Sequence, residues 1–96
     1  MAVIRTTRFT VDPTNVDEMI AKRAGLIAAV RAAFAGLTEV RLARVDEETW
    51  VDAWRWDSPV SMQVALAAAP GLPEASAAFS LARDLTAEQA ELVDER

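Results

Sequence analysis

Three tryptophans and one aspartate alternate along Trp50-Val51-Asp52-Ala53-Trp54-Arg55-Trp56. In an extended segment this spacing puts Trp50, Asp52, Trp54 and Trp56 on one face. Near the N-terminus Val3, Arg5, Thr7, Phe9 and Val11 alternate in the same way, with Ile4, Thr6, Arg8 and Thr10 on the other face. These two segments hold the residue types with which the chain could do chemistry. Aromatic rings can wall a flat ligand, a guanidinium can hold an anion, and a carboxylate can move a proton. Both faces of the first segment carry an arginine, so polarity alone does not say which is buried.

The missing residue types exclude more. There is no Cys and no His. That removes disulfides, thiolate zinc sites, cysteine nucleophiles, the usual general base and the commonest transition-metal ligand. There is no Tyr to act as a phenolic acid. No acidic cluster has a recognisable metal-ligand spacing. No metal and no other cofactor is expected. The formal net charge is −5 and no basic patch interrupts it, so no nucleic-acid partner is expected. No apolar run approaches the roughly 18–20 residues of a membrane span, and none is expected to meet a membrane. Met1 to Thr10 lacks a basic segment followed by an apolar stretch, so the expected location is cytoplasmic. At 96 residues, 52% of them hydrophobic, residues 1–96 read as a single domain with a real core.

The elements that must position these residues follow from local signals. Ala2 to Val11 is rich in Val, Ile, Thr and Phe and reads as a strand. Asp12-Pro13 starts a helix, with Asp12 capping free N–H groups and Pro13 at its first position. Val16, Met19, Ile20, Ile27, Val30 and Phe34 recur at helical steps, with Arg23 interrupting the row. Gly25 lies inside this helix, where it would allow a close neighbour, and Gly36 is its expected stop. Glu39 to Val45 and Thr49 to Trp56 read as a hairpin around the acidic turn Asp46-Glu47-Glu48. Ser58-Pro59 repeats the helix start, for a helix to about Ala69 with Met62 and Leu66 in its packing stripe. Pro70-Gly71-Leu72-Pro73 breaks it, and a third helix follows to about Arg83. Glu88 to Val93 reads as a last strand, with a terminal helix as the competing reading.

The order β-α-β-β-α-(α)-β is the α+β, ferredoxin-like pattern. Right-handed crossovers place the first and third strands side by side in a four-stranded antiparallel sheet, with the helices on one face. The bare face would include Ile4, Val51, Ala53 and either Leu42 or Ala43. An exposed sheet of this kind normally has a partner.

The segment Trp56-Asp57-Ser58 closes the third strand and enters a helix. Together with the Asp-Pro helix start after the first strand and the hairpin ahead of the tryptophan, it resembles the antibiotic biosynthesis monooxygenase-like domain, a dimeric α/β-barrel family. The similarity of layout covers nearly the whole chain. The resemblance implies a homodimer with sheets packed face to face and a pocket in each protomer between sheet and helices. It also implies an activity among the cofactor-independent oxygenases of polyketide quinols or the haem-degrading enzymes. The family's strand-three tryptophan corresponds to Trp56. The first-strand asparagine of haem-degrading members is held here by Thr7, and their histidine has no counterpart, which removes imidazole ligation of haem.

With Trp56 turned toward a pocket, Trp54 and Asp52 turn with it, and Arg5, Thr7 and Phe9 share that face on the neighbouring strand. The candidate catalytic residues are Arg5, Asp52 and Trp56. The candidate substrate-binding residues are Thr7, Phe9, Trp54, Met62 and Leu66. Flat aromatic walls suit a small planar aromatic molecule such as a quinol or anthrone. The reading is then a cofactor-independent monooxygenase, and the alternative is a non-catalytic barrel that binds a small aromatic or lipid-like ligand. Beside these stands a structural reading, in which the tryptophans fill their own core and Arg5 and Asp52 pair with each other.

Overall fold

The computed structural model describes all 96 residues. The elements run β1 (Val3–Thr10), α1 (Val16–Ala33), β2 (Leu37–Arg44), β3 (Thr49–Trp56), α2 (Pro59–Ala68), α3 (Pro73–Phe79) and β4 (Arg83–Glu91). The strands form one antiparallel sheet in the order β2-β3-β1-β4. The expected α+β, ferredoxin-like arrangement is therefore present, with β1 and β3 at its centre. No helix is long and apolar enough to cross a membrane.

Local chemistry explains most boundaries. The Asp12 carboxylate accepts hydrogen bonds from the Thr14 N–H at 2.9 Å and the Thr14 hydroxyl at 2.7 Å. Those bonds hold the Asp12 carboxyl below the usual carboxylate range. They cap a short 3-10 turn, Pro13–Asn15, which feeds α1. The Ser58 hydroxyl accepts from the Ser61 N–H at 3.1 Å and caps α2. In the hairpin turn the Asp46 carboxylate accepts from the N–H groups of Glu48 and Thr49. Gly36, after α1, has φ +103, a conformation that glycine reaches without a Cβ clash.

The C-terminal third departs from expectation. The last element is a strand, and it begins at Arg83 instead of Glu88. The third helix stops at Phe79 instead of Arg83. Alanine favours helix locally, but pairing with β1 from Thr10↔Arg83 to Val3↔Glu91 claims these residues for the sheet. A register shift between Arg8 and Thr10 takes up the irregularity, and Asp84 turns the corner at φ +55.

The inner face of α1 is the expected one with one exchange: Val16 and Phe34 pack against the core, and Leu26 is buried in place of the expected Ile20. Met19, Leu26, Ile27 and Val30 are buried, whereas Ile20 is 42% exposed. Gly25 faces outward with nothing within 4 Å of a Cβ placed on it, so it makes no close approach. Gly25→Ala is expected to stabilise the fold by about 0.5–1 kcal/mol, because it removes only unfolded-state freedom. Urea unfolding at unchanged slope would show this, and a lower midpoint would contradict it.

The core is in two pieces. The larger cluster holds Val3, Leu26, Val30, Leu37, Trp56, Met62, Ala65 and Ala75. The smaller holds Phe9, Val11, Met19 and Trp50. The register explains the division. Val3, Trp56 and Leu37 form one rung near one end of the sheet, and Phe9 and Trp50 pair near the other. The rungs between them carry Arg5↔Trp54 and Thr7↔Asp52. The middle of the inner face is thus where polar side chains were placed.

On the opposite face the register puts Ala43 beside Val51, while Leu42 packs inward against the smaller cluster. The C-terminal tail reaches this face, where Glu95 binds Arg55 through two bonds of 2.6 and 2.8 Å. The guanidinium holds the Glu95 carboxyl below its ordinary range.

Candidate functional site

A cavity of about 650 Å³ lies between the inner face of the sheet and the helices. That is within the range of small-molecule sites. Arg5, Thr7 and Phe9 of β1, Asp52, Trp54 and Trp56 of β3, and Leu66 of α2 all line it. Met62 does not. It is 3% exposed and packed in the larger cluster with Trp56. Helix α2 presses Met62 and Ala65 onto the core, while Ala65 and Leu66 line the open space.

The tryptophans have different duties. Trp56 is 2% exposed and belongs to the core wall. Trp54 is half-buried and its ring stands at 38° to that of Trp56, with centroids 6.5 Å apart. Trp54 is the broader aromatic surface open to a ligand. Trp50 does not line the cavity; it completes the smaller cluster, with the Arg44 guanidinium 4.9 Å from its ring centroid. The Nε1 donors of Trp50 and Trp56 are buried without an acceptor. Such an unmet donor costs on the order of 1–3 kcal/mol, which the packing of each ring outweighs.

Asp52 does not pair with Arg5. Its partner is Arg23 of α1, with Nε to Oδ2 at 2.9 Å and Nη2 to Oδ1 at 2.9 Å. The pair is bidentate and mostly buried, with side-chain exposures of 17% for Arg23 and 12% for Asp52. It spans from helix to sheet in the gap between the two clusters. Each Asp52 oxygen takes one bond from Arg23 and keeps acceptor capacity for a ligand hydroxyl. Arg23 is the functional candidate that sequence reasoning missed. The signal was present: a charge in the apolar row of α1 needs an opposite charge on the strand it covers.

Arg5 is half-buried, lines the same cavity and has no hydrogen-bond or ion-pair partner. It lies one inward-facing position along β1 from Thr7, which is itself opposite Asp52. The remaining walls come from α1, α3 and β4, including Met19, Leu26, Ala78, Phe79 and Leu85. Phe79 and Leu85 are 50% and 43% exposed and stand where the cavity meets solvent. Most of the lining is hydrophobic, and Arg5, Arg23 and Asp52 are its only ionisable groups.

No sequence-family model matches the chain, and no curated protein matches it significantly. Solved structures do. SnoaB, a cofactor-independent oxygenase from Streptomyces nogalater, is 22% identical with a TM-score of 0.74, over 98% of this chain and 95% of that one. A variant of SnoaB is 24% identical with a TM-score of 0.78 over the same shares. A Caulobacter crescentus protein, described provisionally as an antibiotic biosynthesis monooxygenase, is 20% identical with a TM-score of 0.73, over 97% of this chain and 91% of that one. A Mycobacterium tuberculosis protein is 22% identical with a TM-score of 0.68, over 99% and 98%. With four antiparallel strands in this order, helices on one face and near-complete overlap with these structures, the chain has the antibiotic biosynthesis monooxygenase-like fold.

Proposed function

We propose that the protein is a cofactor-independent monooxygenase acting on a small planar aromatic substrate of the quinol or anthrone type. One observation carries the reading: an apolar cavity walled by Trp54, Phe9 and Phe79 also holds a guanidinium, Arg5, with no partner of its own. The likeness to SnoaB supports the reaction class.

The chemistry would run through the substrate. Asp52, held in place by Arg23, accepts a hydrogen bond from a ring hydroxyl. Loss of a proton gives an electron-rich anion, which Arg5 stabilises by charge. The anion passes one electron to O₂, and the radical and superoxide join to form a peroxide. Taking up one proton, the peroxide loses water and leaves a carbonyl on the ring. For an anthrone the balance is one O₂ consumed, and one quinone and one water formed. The protein's part is to bind, to favour the anion and to keep bulk water away.

The same reading includes a homodimer formed through the open sheet face around Ile4, Val51 and Ala53. Light scattering at micromolar concentration would show the doubled mass, and a monomer would count against it.

Anthrone and an oxygen electrode test the activity. Oxygen uptake is expected above the buffer rate, with one quinone per O₂, and Trp54→Ala or Arg5→Ala is expected to lower the rate at least tenfold. An uptake equal to buffer would end the oxygenase reading. The double engagement of Asp52 by Arg23 favours the alternative in that case, a barrel that holds an aromatic ligand without turning it over.

A further inference from the structure

We propose that α3 is a hinged lid over this cavity, and that a ligand enters and leaves by its movement. The inference rests on reading the cavity as a ligand site, and it adds how that site is reached.

The walls of the cavity are held with unequal firmness. Strands β1 and β3 are fixed in the sheet ladder. Helix α1 is tied to β3 by the two 2.9 Å bonds from Arg23 to Asp52. Helix α2 is seated by Met62 and Ala65, which are buried in the larger cluster. Ala75, Ser76, Ala78 and Phe79 of α3 also line the cavity, yet Ala75 is the only buried residue of that helix. One methyl group removes little apolar area from water. Leu72 and Ala78 lean on the larger cluster, and Leu81 and Ala82 on the smaller, all four partly exposed. No side chain caps the start of α3. The N–H groups of Leu72, Ser80 and Ala82 bond to Ala69, Ala77 and Phe79, inside the same stretch of chain. A single side-chain bond reaches another element, from Lys22 Nζ of α1 to Ser80 Oγ, and at 3.4 Å it is long. Few buried apolar contacts and few outside bonds are what a locally opening segment requires.

Both ends of the segment are fixed points with a hinge beside them. On one side α2 closes with the Ala69 N–H on the Ala65 carbonyl, and Pro70-Gly71-Leu72-Pro73 follows. On the other, the Thr10 hydroxyl lies 3.3 Å from both the Arg83 carbonyl and Asp84 Oδ2, and pins the start of β4 to β1. A few residues at element ends can absorb a swing of this kind. The movable part is therefore Pro70 to Ala82. Phe79 is its leading edge, since with Leu85 it stands where the cavity meets solvent. Closed, as here, the lid keeps the apolar walls from bulk water; open, it admits a flat molecule.

Hydrogen exchange and stopped-flow quenching of tryptophan emission by anthracene carboxamide test the proposal on the full chain. The amides of Ala77 to Phe79 are expected to exchange about a hundredfold or more faster than those of Leu26 to Val30, and bound probe should slow them. The quenching rate should level off as probe concentration rises, at the rate of lid opening. Lys22→Ala cuts the tether and should raise that plateau about two- to threefold. Glu18→Ala removes the other partner of Lys22 and should leave the plateau unchanged. Gly71→Ala adds a Cβ with nothing within 4 Å of it and should lower the plateau about two- to threefold, because the opened hinge has fewer conformations. None of these three positions lines the cavity, so Kd should hold while the rates move. Equal exchange in α3 and α1, a rate that climbs in proportion to the probe, or equal plateaus in all variants would each overturn the lid and leave the cavity standing. Failure of the probe to bind would overturn the ligand-site reading and the lid with it.

Discussion

Asp52→Ala is expected to destabilise the protein by about 3 kcal/mol. The reason is what remains. Arg23 would keep its place in the middle of the α1 stripe, between Met19 and Leu26, with no carboxylate to take its two hydrogen bonds. Removing one member of a buried pair strands the other, and such changes cost about 3–5 kcal/mol. Partial exposure of both side chains puts this pair at the lower end. The double variant Asp52→Leu with Arg23→Met should recover most of the loss, because it replaces both charges by apolar groups of similar length. Urea unfolding of Asp52→Leu, of Arg23→Met and of the double variant gives the coupling directly. A single variant within about 0.5 kcal/mol of wild type would mean the pair is solvated in a way its geometry does not show. The double variant also separates stability from chemistry. It should fold well and lose whatever function depends on a polar group at Asp52.

Gly36→Ala is the second large effect, with an expected loss of about 3 kcal/mol or more. Two costs add there. At φ +103 any L side chain is strained, by about 1–3 kcal/mol. The new Cβ would also lie 2.5 Å from Ser61 Cβ and 2.6 Å from Asp57 Oδ1, an overpacking worth a further 1–3 kcal/mol by rough analogy with cores. The two can be told apart. Ser61→Gly removes the nearest atom and should restore part of the steric loss in the double variant, whereas Ser61→Ala keeps that Cβ and should restore little. The position matters beyond stability. The Gly36 carbonyl accepts the Asp57 N–H at 2.8 Å, directly after Trp56 and ahead of the Ser58 cap. A shift there would be felt at the wall of the cavity, so the destabilised variant should also bind aromatic probes more weakly. Wild-type stability in Gly36→Ala would refute both parts.

Much of the fold is legible before any coordinates. Alternation placed the strands of β1 and β3 within a residue or two, because Val, Ile, Thr, Phe and Trp leave few other options in so short a run. The helix starts at Asp12-Pro13 and Ser58-Pro59 could be read because a capping oxygen and a proline act locally. Legibility fails where distant residues decide. Within Arg83 to Ala87 only Thr86 favours a strand; β1 supplies the pairing that makes it one. Whether Ile20 or Leu26 of α1 is buried depends on which residues meet the sheet, and the two are equally apolar in isolation. The candidate site divides in the same way. Face-sharing of Arg5, Thr7, Phe9, Asp52, Trp54 and Trp56 follows from the period of a strand. The partner of Asp52 does not, because Arg5 and Arg23 are both cations and only the packing of helix on sheet chooses between them. Met62 was misplaced for a similar reason: it and Leu66 lie one turn apart, and the sheet beneath decides which is core and which is wall.

The divided core has a consequence for how the molecule comes apart. Trp56 sits in the larger cluster and Trp50 in the smaller, while the Arg23–Asp52 bridge and the cavity occupy the middle. The larger half also has Trp54 packed against it, so its emission comes from two tryptophans and that of the smaller half from Trp50. Few apolar contacts cross the middle, so cooperativity between the halves must pass through the strand ladders, α1 and that one bridge. A ligand filling the cavity would supply the missing contacts. Its binding should be visible as two emission transitions drawn together into one.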